Sequence, residues 1–221
     1  RSFHVAGVQT CALPILAVEV RRPRQPWAVA LFVHGSGSSR ESPRNLRAAA
    51  ALRRAGVATL LLDLLTAAEA AASDGLLWDV PLPVLAARVS DACAWASRQP
   101  GLVGLPLVLF GNSLGGAVSA MVAADHPEVV AGLVTRGGRW DQAADAAARI
   151  RQPVLLAAGT DDPQGVYLNR EARRALGRER TQMVAVPGAG HLMEEPGAIE
   201  AFTRVALGWL RERWSPAHQP L

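Results

Sequence analysis

Short apolar segments alternate with amphipathic or alanine-rich segments along most of this chain. Apolar runs without polar interruption are typical of strands that are buried on both faces of a parallel sheet. Such runs predict strands at residues 16–20, 28–33, 57–63, 107–110, 129–135, 153–158 and 183–186. Helical spacing predicts helices at residues 43–55, 82–98, 116–125, 142–150, 167–176 and 198–213. The alternation predicts an α/β fold, with a mainly parallel central sheet, right-handed crossovers and helices on both faces.

The segments between these elements predict a single domain at residues 16–214. Residues 66–79 are polar and alanine-rich, and they predict a mobile loop with one helical turn. No insertion has the length of a separate cap domain, so we expect an open site that takes a small or accessible substrate. Residues 215–221 are expected to form a disordered tail.

A serine stands where the central apolar run ends. Residues 105–117 read LPLVLFGNSLGGA, in which Ser113 follows a predicted strand and precedes a predicted helix. The pattern G-x-S-x-G between a strand and a helix is typical of a nucleophile elbow, a strained turn that exposes the serine hydroxyl at the sheet edge. A Cβ at the flanking glycines is expected to clash where strand and helix approach each other.

A serine hydroxyl needs a base to take its proton and a carboxylate to orient that base. Of the five histidines, His191 follows the late predicted strand at 183–186 and lies on a loop. His34 is expected to support the loop after the strand at 28–33, and the others lie at the chain ends or at the end of the elbow helix. Asp161 and Asp162 both follow the strand at 153–158, and either could be the carboxylate.

Two further groups of residues follow strand ends. An oxyanion needs two N–H donors, and the candidates are Leu114, the residue after Ser113, and Ser36, on the loop after the predicted strand at 28–33. Four arginines lie on loops at the same edge and could bind a carboxylate or phosphate of an anionic substrate, namely Arg40, Arg44, Arg136 and Arg139.

These segments resemble the α/β-hydrolase superfamily, and within it the dienelactone hydrolase-like group of compact bacterial hydrolases. The resemblance covers residues 28–213 and is carried by HGSGSSRESPRN at 34–45, GNSLGG at 111–116, GTDDP at 159–163 and PGAGHLMEEPG at 187–197. It implies a catalytic triad in the chain order Ser113, Asp162, His191. Asp162 is the implied acid because the family acid stands three residues after the strand-ending glycine, here Gly159. Dienelactone hydrolases often have a cysteine at the elbow, so Ser113 favours a general carboxylic-ester hydrolase.

Composition removes several other classes of protein. All 23 basic residues are arginine and the net charge is +4, with no long basic run, so no nucleic-acid partner is expected. No apolar run reaches the roughly 18 residues that span a bilayer. Two cysteines, Cys11 and Cys93, predict no disulfide framework. We expect a cytoplasmic protein of unknown oligomeric state that needs no metal or organic cofactor.

The first 15 residues need a separate interpretation. The stretch VAGVQTCALPI at 5–15 resembles a conceptual translation of a sequencing-library adapter. We expect residues 1–15 to be non-native and the true N-terminus to be missing, so the predicted domain begins at residue 16.

The sequence therefore predicts a serine hydrolase that cleaves carboxylic esters of a small-molecule substrate. A thioesterase, an amidase, an acyltransferase or a perhydrolase would use the same residues. A non-catalytic binding protein with a hydrolase fold is a further alternative, and fold alone does not choose among them.

Overall fold

A computed structural model describes residues 2–5 and 16–216 of the chain. Within these residues the strands form one eight-stranded sheet in the order β1-β2-β4-β3-β5-β6-β7-β8. The strands are β1 (Ser2–Val5), β2 (Leu16–Arg21), β3 (Ala28–Val33), β4 (Val57–Leu62), β5 (Leu107–Asn112), β6 (Val130–Arg136), β7 (Val154–Gly159) and β8 (Thr181–Val186). The strands from β4 to β8 in this order are parallel, whereas β1 and β2 pair antiparallel at one edge.

Helices cover both faces of the sheet, as the sequence predicts. They are α1 (Pro43–Arg54), α2 (Ala67–Ala72), α3 (Leu82–Ala96), α4 (Leu114–Asp125), α5 (Ala144–Ala147), α6 (Pro163–Leu176) and α7 (Ala198–Trp214). Helices α1 and α7 pack on one face, and α3 to α6 pack on the other. No separate cap domain is inserted among the described residues.

The two faces are set by the alternation of side chains along each strand. In β3, Val29, Leu31 and Val33 belong to the core under α3 to α6, while Ala28, Ala30 and Phe32 belong to the core under α1 and α7. Because both faces are covered, every residue of β3 is buried and its sequence shows no polar alternation. The carboxyl ends of the parallel strands meet at one edge, where open α/β sheets bind ligands.

Local chemistry moves some boundaries from their predicted places. Helix α6 begins at Pro163, four residues before the prediction, because Asp162 caps it by accepting the Gly165 N–H and proline is suited to the first helical position. The helix predicted at 142–150 is reduced to α5, which follows a short 3₁₀ turn at Trp140–Gln142.

The segment predicted as a mobile loop contains α2, which begins with a capping box. The Thr66 hydroxyl accepts the Glu69 N–H, and the Glu69 carboxylate accepts the Thr66 N–H. The Glu69 carboxylate also receives two hydrogen bonds from Arg88 of α3, of 2.7 and 2.9 Å. These contacts fix a helical turn whose residues are alanine-rich and bury little surface.

Two sequence predictions fall partly on residues outside the described part of the chain. Residues 6–15 and most of the predicted tail, 217–221, lie outside it. The described residues of the N-terminal segment form β1, which pairs with β2 through Ser2 to Val5. The non-native origin of residues 1–15 stays a prediction. None of the described helices is long and apolar enough to cross a membrane.

Candidate active site

Ser113 lies at the apex of the turn between β5 and α4 in a backbone conformation that few residues adopt. Its φ is 50° and its ψ is −119°, so a non-glycine residue occupies the positive-φ region. Strain of this kind persists only where the surrounding structure holds it. The Ser113 N–H donates to the Arg136 carbonyl at 3.0 Å, and the Ser113 carbonyl accepts the Arg139 N–H at 3.0 Å. The last residue of β6 and the loop that follows it therefore hold both the N–H and the carbonyl of the strained residue.

The two glycines of the elbow motif are required by close packing. A Cβ at Gly111 would lie 2.6 Å from the Gly116 Cα, on the first turn of α4. A Cβ at Gly115 would lie 2.3 Å from the carbonyl oxygens of Val33 and His34, at the end of β3. Only a residue without a side chain lets the helix start this close to two strands.

Ser113, His191 and Asp162 form a chain of hydrogen bonds across three loops. The Ser113 Oγ lies 3.1 Å from the His191 Nε2, and the His191 Nδ1 lies 2.7 Å from the Asp162 Oδ2. A carboxylate only accepts hydrogen bonds, so the Nδ1 carries the proton and the Nε2 is left as an acceptor for the serine hydroxyl. The imidazole is therefore oriented to receive a proton from Ser113.

The two candidate aspartates have different surroundings. Asp162 is buried, and its second oxygen accepts the Gly165 N–H at 2.9 Å at the start of α6. A Cβ at Gly165 would lie 2.1 Å from the Asp162 Oδ2, so this glycine leaves room for the carboxylate. Asp161 is exposed, and among the described residues its carboxylate accepts only the Thr160 hydroxyl, at 3.1 Å. The structure brings Asp162 to His191 and leaves Asp161 outside the chain of hydrogen bonds from Ser113.

Further glycines make room for the loop that carries His191, and sequence reasoning missed them. A Cβ at Gly137 would lie 2.9 Å from the His191 Cε1, and this residue has a φ of +57°. A Cβ at Gly159 would lie 1.8 Å from the Ala189 carbonyl oxygen. In the sequence, the pair Gly137-Gly138 after the predicted strand at 129–135 is the feature that indicates a close approach of another loop to this strand end. The Gly190 N–H also donates to the Glu195 carboxylate at 3.0 Å, which closes the loop on itself.

The candidate oxyanion donors lie on two segments close to Ser113, since Leu114 directly follows it and the loop of Ser36 packs against it. A Cβ at Gly35 would lie 3.1 Å from the Ser113 Cβ, which places the loop of Ser36 against the serine. Among the hydrogen bonds of the described residues, neither the Ser36 N–H nor the Leu114 N–H has an acceptor. His34 supports this loop rather than facing Ser113: its Nδ1 lies 2.8 Å from the Gly35 carbonyl oxygen, and its Nε2 accepts the Leu64 N–H at 2.9 Å. Burial lowers the pKa of His34, which favours the neutral ring that these contacts need.

Most of the arginines predicted to bind substrate have carboxylate partners within the chain. Arg40 pairs with Asp63 and Glu41, and Arg44 pairs with Glu194. Arg139 pairs with Asp141 in a two-bond contact of 2.6 and 2.8 Å.

Arg136 differs from these arginines because it is 6% exposed and donates to uncharged acceptors of the chain. None of the four arginines is therefore brought to Ser113 as a free anion-binding group, and their role in substrate binding stays a prediction.

Exposed apolar side chains lie next to the Ser36 loop and next to His191. The segment that follows α2 is attached to the Ser36 loop, because the Gly37 N–H donates to the Gly75 carbonyl and the Leu77 N–H donates to the Ser36 hydroxyl, each at 3.0 Å. This segment exposes Leu76 and Trp78, while Leu192 is exposed directly after His191. The described residues contain no group of three or more His, Cys, Asp or Glu side chains that could hold a metal ion.

Comparison with known proteins places this fold in a family. A family model described as the alpha/beta hydrolase fold matches residues 29–149, which is more than half of the chain. The chain belongs to the α/β-hydrolase family. It is dienelactone hydrolase-like: the crystal structure of a dienelactone hydrolase from Anabaena variabilis is 36% identical, with a TM-score of 0.86 over 97% of this chain and 98% of that one.

Other similar proteins carry different names. A carboxyl esterase from Bacillus coagulans shares the fold at 16% identity, with a TM-score of 0.76 over 95% of this chain and 98% of that one. Two curated proteins from Mycobacterium tuberculosis, provisionally named phosphoribosyl transferases, are 39% identical over 203 residues. That match covers 91% of this chain and 45% of theirs, so the chain spans about half the length of the curated relatives it matches.

Proposed function

We propose that this protein hydrolyses carboxylic esters or related acyl bonds through Ser113, His191 and Asp162. The observation that carries the proposal is the continuous hydrogen-bond chain from the Ser113 hydroxyl to the buried Asp162 carboxylate. A nucleophile, a base and an orienting acid in this geometry, with two N–H donors near the nucleophile, match the requirements of acyl transfer. The α/β-hydrolase fold is compatible with this chemistry but does not by itself select it.

The reaction would proceed in two halves. In the first, the Ser113 Oγ attacks the carbonyl carbon, His191 takes the hydroxyl proton at Nε2, and the oxyanion accepts the N–H groups of Ser36 and Leu114. Collapse breaks the ester C–O bond, and His191 returns the proton to the leaving alcohol. In the second, water attacks the acyl-enzyme with the same residues in the same roles, which releases the acid and restores Ser113.

The surroundings of Ser113 support a substrate with an apolar acyl or alcohol part. Leu76, Trp78 and Leu192 are exposed by 42%, 62% and 47% on the loops next to Ser36 and His191. Contact with a substrate would remove this apolar surface from water, which is favourable by about 25 cal/mol for each Å². Thioesters, amides and acyl transfer to another alcohol would use the same groups and remain alternatives within this reaction class.

A panel of p-nitrophenyl esters of increasing acyl length tests the proposal. Wild type should hydrolyse at least one of them, and Ser113→Ala should lower kcat on the order of 10⁶-fold, as for nucleophile loss in comparable enzymes. Ser97→Ala is a matched control, because Ser97 follows α3 and precedes β5 at the opposite edge of the sheet. A fluorophosphonate should label wild type and the control at Ser113. Equal labelling of Ser113→Ala would refute the proposal.

A further inference from the structure

Arg136 is a buried cation without a carboxylate partner among the described residues. It ends β6, it is 6% exposed, and none of the ion pairs of the described part of the chain includes it. Its Nε donates to the Asn112 Oδ1 at 3.0 Å, and its Nη1 donates to the Leu192 carbonyl oxygen at 2.9 Å. Both acceptors are uncharged. Burial of an ion against uncharged groups is costly, so a guanidinium at this position calls for an explanation beyond packing.

The electrostatic surroundings increase that cost. The pKa of Arg136 is lowered to about 10. Burial is the larger cause, and the positive charge of the neighbouring Arg44 is the smaller one. A second cation nearby also disfavours the charged form, yet at neutral pH the side chain keeps its proton. The charged guanidinium therefore donates to the uncharged Asn112 and Leu192 acceptors. By contrast, Arg139 and Arg149 pair with the carboxylates of Asp141 and Asp125.

The contacts of Arg136 converge on residues adjacent to the two reacting side chains. Asn112 directly precedes Ser113, and Leu192 directly follows His191. The Arg136 carbonyl also accepts the Ser113 N–H at 3.0 Å. One residue thus contacts the elbow through its backbone and side chain, and it contacts the histidine loop through its side chain.

We propose that Arg136 is a positioning residue that fixes the separation of the Ser113 hydroxyl and the His191 imidazole by binding Asn112 and the Leu192 carbonyl together. The inference rests on the proposed function, because it concerns the geometry of that same reaction. It differs from the sequence-based expectation for Arg136, in which the guanidinium contacts an anionic substrate.

The side chains around Arg136 extend this link to α1. The Asn112 amide donates to the buried Asn45 Oδ1 at 3.0 Å, and Arg44 pairs with Glu194 on the histidine loop. The elbow and the histidine loop are therefore both joined to the start of α1.

Only arginine presents several donors in a rigid planar fork that can reach two separate acceptors at once. Lysine can donate to one of them at a time without that fixed geometry, and methionine can donate to neither.

The test compares Arg136→Lys and Arg136→Met with Arg149→Met. Arg149 is a matched control because it is an exposed arginine that pairs with Asp125 away from the elbow. For each variant, kcat and KM are measured on a neutral p-nitrophenyl ester and on the matched half-ester of a dicarboxylic acid. The rate of fluorophosphonate labelling of Ser113 is measured as well. All rates are taken well below the melting temperature of the weakest variant, so that lowered stability alone does not change them.

We expect Arg136→Met to lower kcat about 100-fold, which is the order of loss that a 1 Å misplacement can cause. KM should stay within about 3-fold, both esters should lose the same factor, and labelling should slow in parallel, because the substrate does not contact the guanidinium. Arg136→Lys should restore part of kcat, and Arg149→Met should match wild type. The double variant Arg136→Met/Asn112→Ala should lose less than the product of the two single losses, because the two changes share the contact between Arg136 and Asn112.

Other results overturn the inference. Unchanged kcat in folded Arg136→Met would show that the side chain is only structural. A loss confined to the half-ester, or found in KM alone, would assign Arg136 to substrate binding. If Arg136→Met does not fold, full wild-type kcat and labelling in folded Arg136→Lys would refute the role. Wild type that neither hydrolyses esters nor is labelled at Ser113 would instead refute the proposed function, and this inference with it.

Discussion

Replacing Asp162 with asparagine tests the hydrogen-bond chain at the residue where one carboxylate has two partners. The Asp162 Oδ2 lies 2.7 Å from the His191 Nδ1, and its Oδ1 accepts the Gly165 N–H at 2.9 Å. A carboxylate satisfies both donors at once. An amide has a single oxygen, so Asp162→Asn can keep only one of these contacts.

The two amide orientations set the range of the expected loss. With its oxygen on the Gly165 N–H, the amide turns its NH₂ to His191, which moves the ring proton to Nε2 and removes the acceptor for Ser113. An asparagine in this role lowers kcat about 10⁴-fold in the serine-protease example. With its oxygen on His191, the amide turns its NH₂ group to the Gly165 N–H, so two donors face each other and neither is satisfied there. A buried donor left unsatisfied costs about 1–3 kcal/mol, which leaves between about one molecule in 5 and one in 150 in the competent orientation. We therefore expect a kcat loss of at least about 5-fold and at most about 10⁴-fold.

Asp161→Asn is the matched control, since it makes the same chemical change one residue away. Asp161 is exposed and contacts only the Thr160 hydroxyl among the side chains of the described residues. A surface substitution of this kind usually changes free energies by less than about 0.5 kcal/mol, which corresponds to roughly 2-fold in rate.

The assay measures kcat on the best p-nitrophenyl ester and the fluorophosphonate labelling rate for wild type and both variants, with circular dichroism to check folding. The reasoning fails if Asp161→Asn loses as much activity as Asp162→Asn. It also fails if folded Asp162→Asn keeps a third or more of wild-type kcat.

Two further predictions concern stability. A chain that begins at Leu16 should match the full chain in melting temperature and esterase rate, because residues 1–15 are expected to be non-native; a clear fall in either would show that β1 contributes to the fold. Arg88 holds the pKa of the Glu69 carboxyl at about 2, below its usual value of 4.5, through side-chain hydrogen bonds. Because the folded pKa lies below the unfolded value, this contribution is complete at neutral pH and is lost as the pH falls from about 4.5 towards 2. Between pH 5 and pH 3 the melting temperature of wild type should therefore fall further than that of Glu69→Gln, with the exposed Glu171→Gln as control; equal falls would show that the pair does not stabilise the fold.

The pattern of apolar residues determined the architecture because burial on both faces leaves a strong signal. Strands such as β3 and β7 are buried along their whole length, and their predicted ranges differ from the structure by at most one residue at each end. The elbow was also visible in the sequence, because glycine is required at position 115, where a Cβ would lie 2.3 Å from the carbonyl oxygens of Val33 and His34. Boundaries that depend on side-chain capping were less accurate: α6 begins early because Asp162 caps it, and α2 forms through its capping box.

Tertiary structure decided the contacts between residues that lie far apart in the chain. The residue pattern left Asp161 and Asp162 open, and only the path of the loop after β7 turns Asp162 towards His191, which is 29 residues away. The partners of the arginines depend on the same kind of information. Arg44 and Glu194 are separated by 150 positions, and their pairing follows from how α1 and the histidine loop meet at the sheet edge.

Arg136 shows this difference most clearly. The sequence places it at the carboxyl end of a strand, where a cation is readily assigned to substrate. Whether that side chain points to solvent or into the protein depends on which loops cover the strand end. Here the loop of His191 crosses it and supplies the Leu192 carbonyl, while β5 supplies Asn112. Local sequence determines which residues reach this edge of the sheet, and the packing of distant loops determines which of them contact each other.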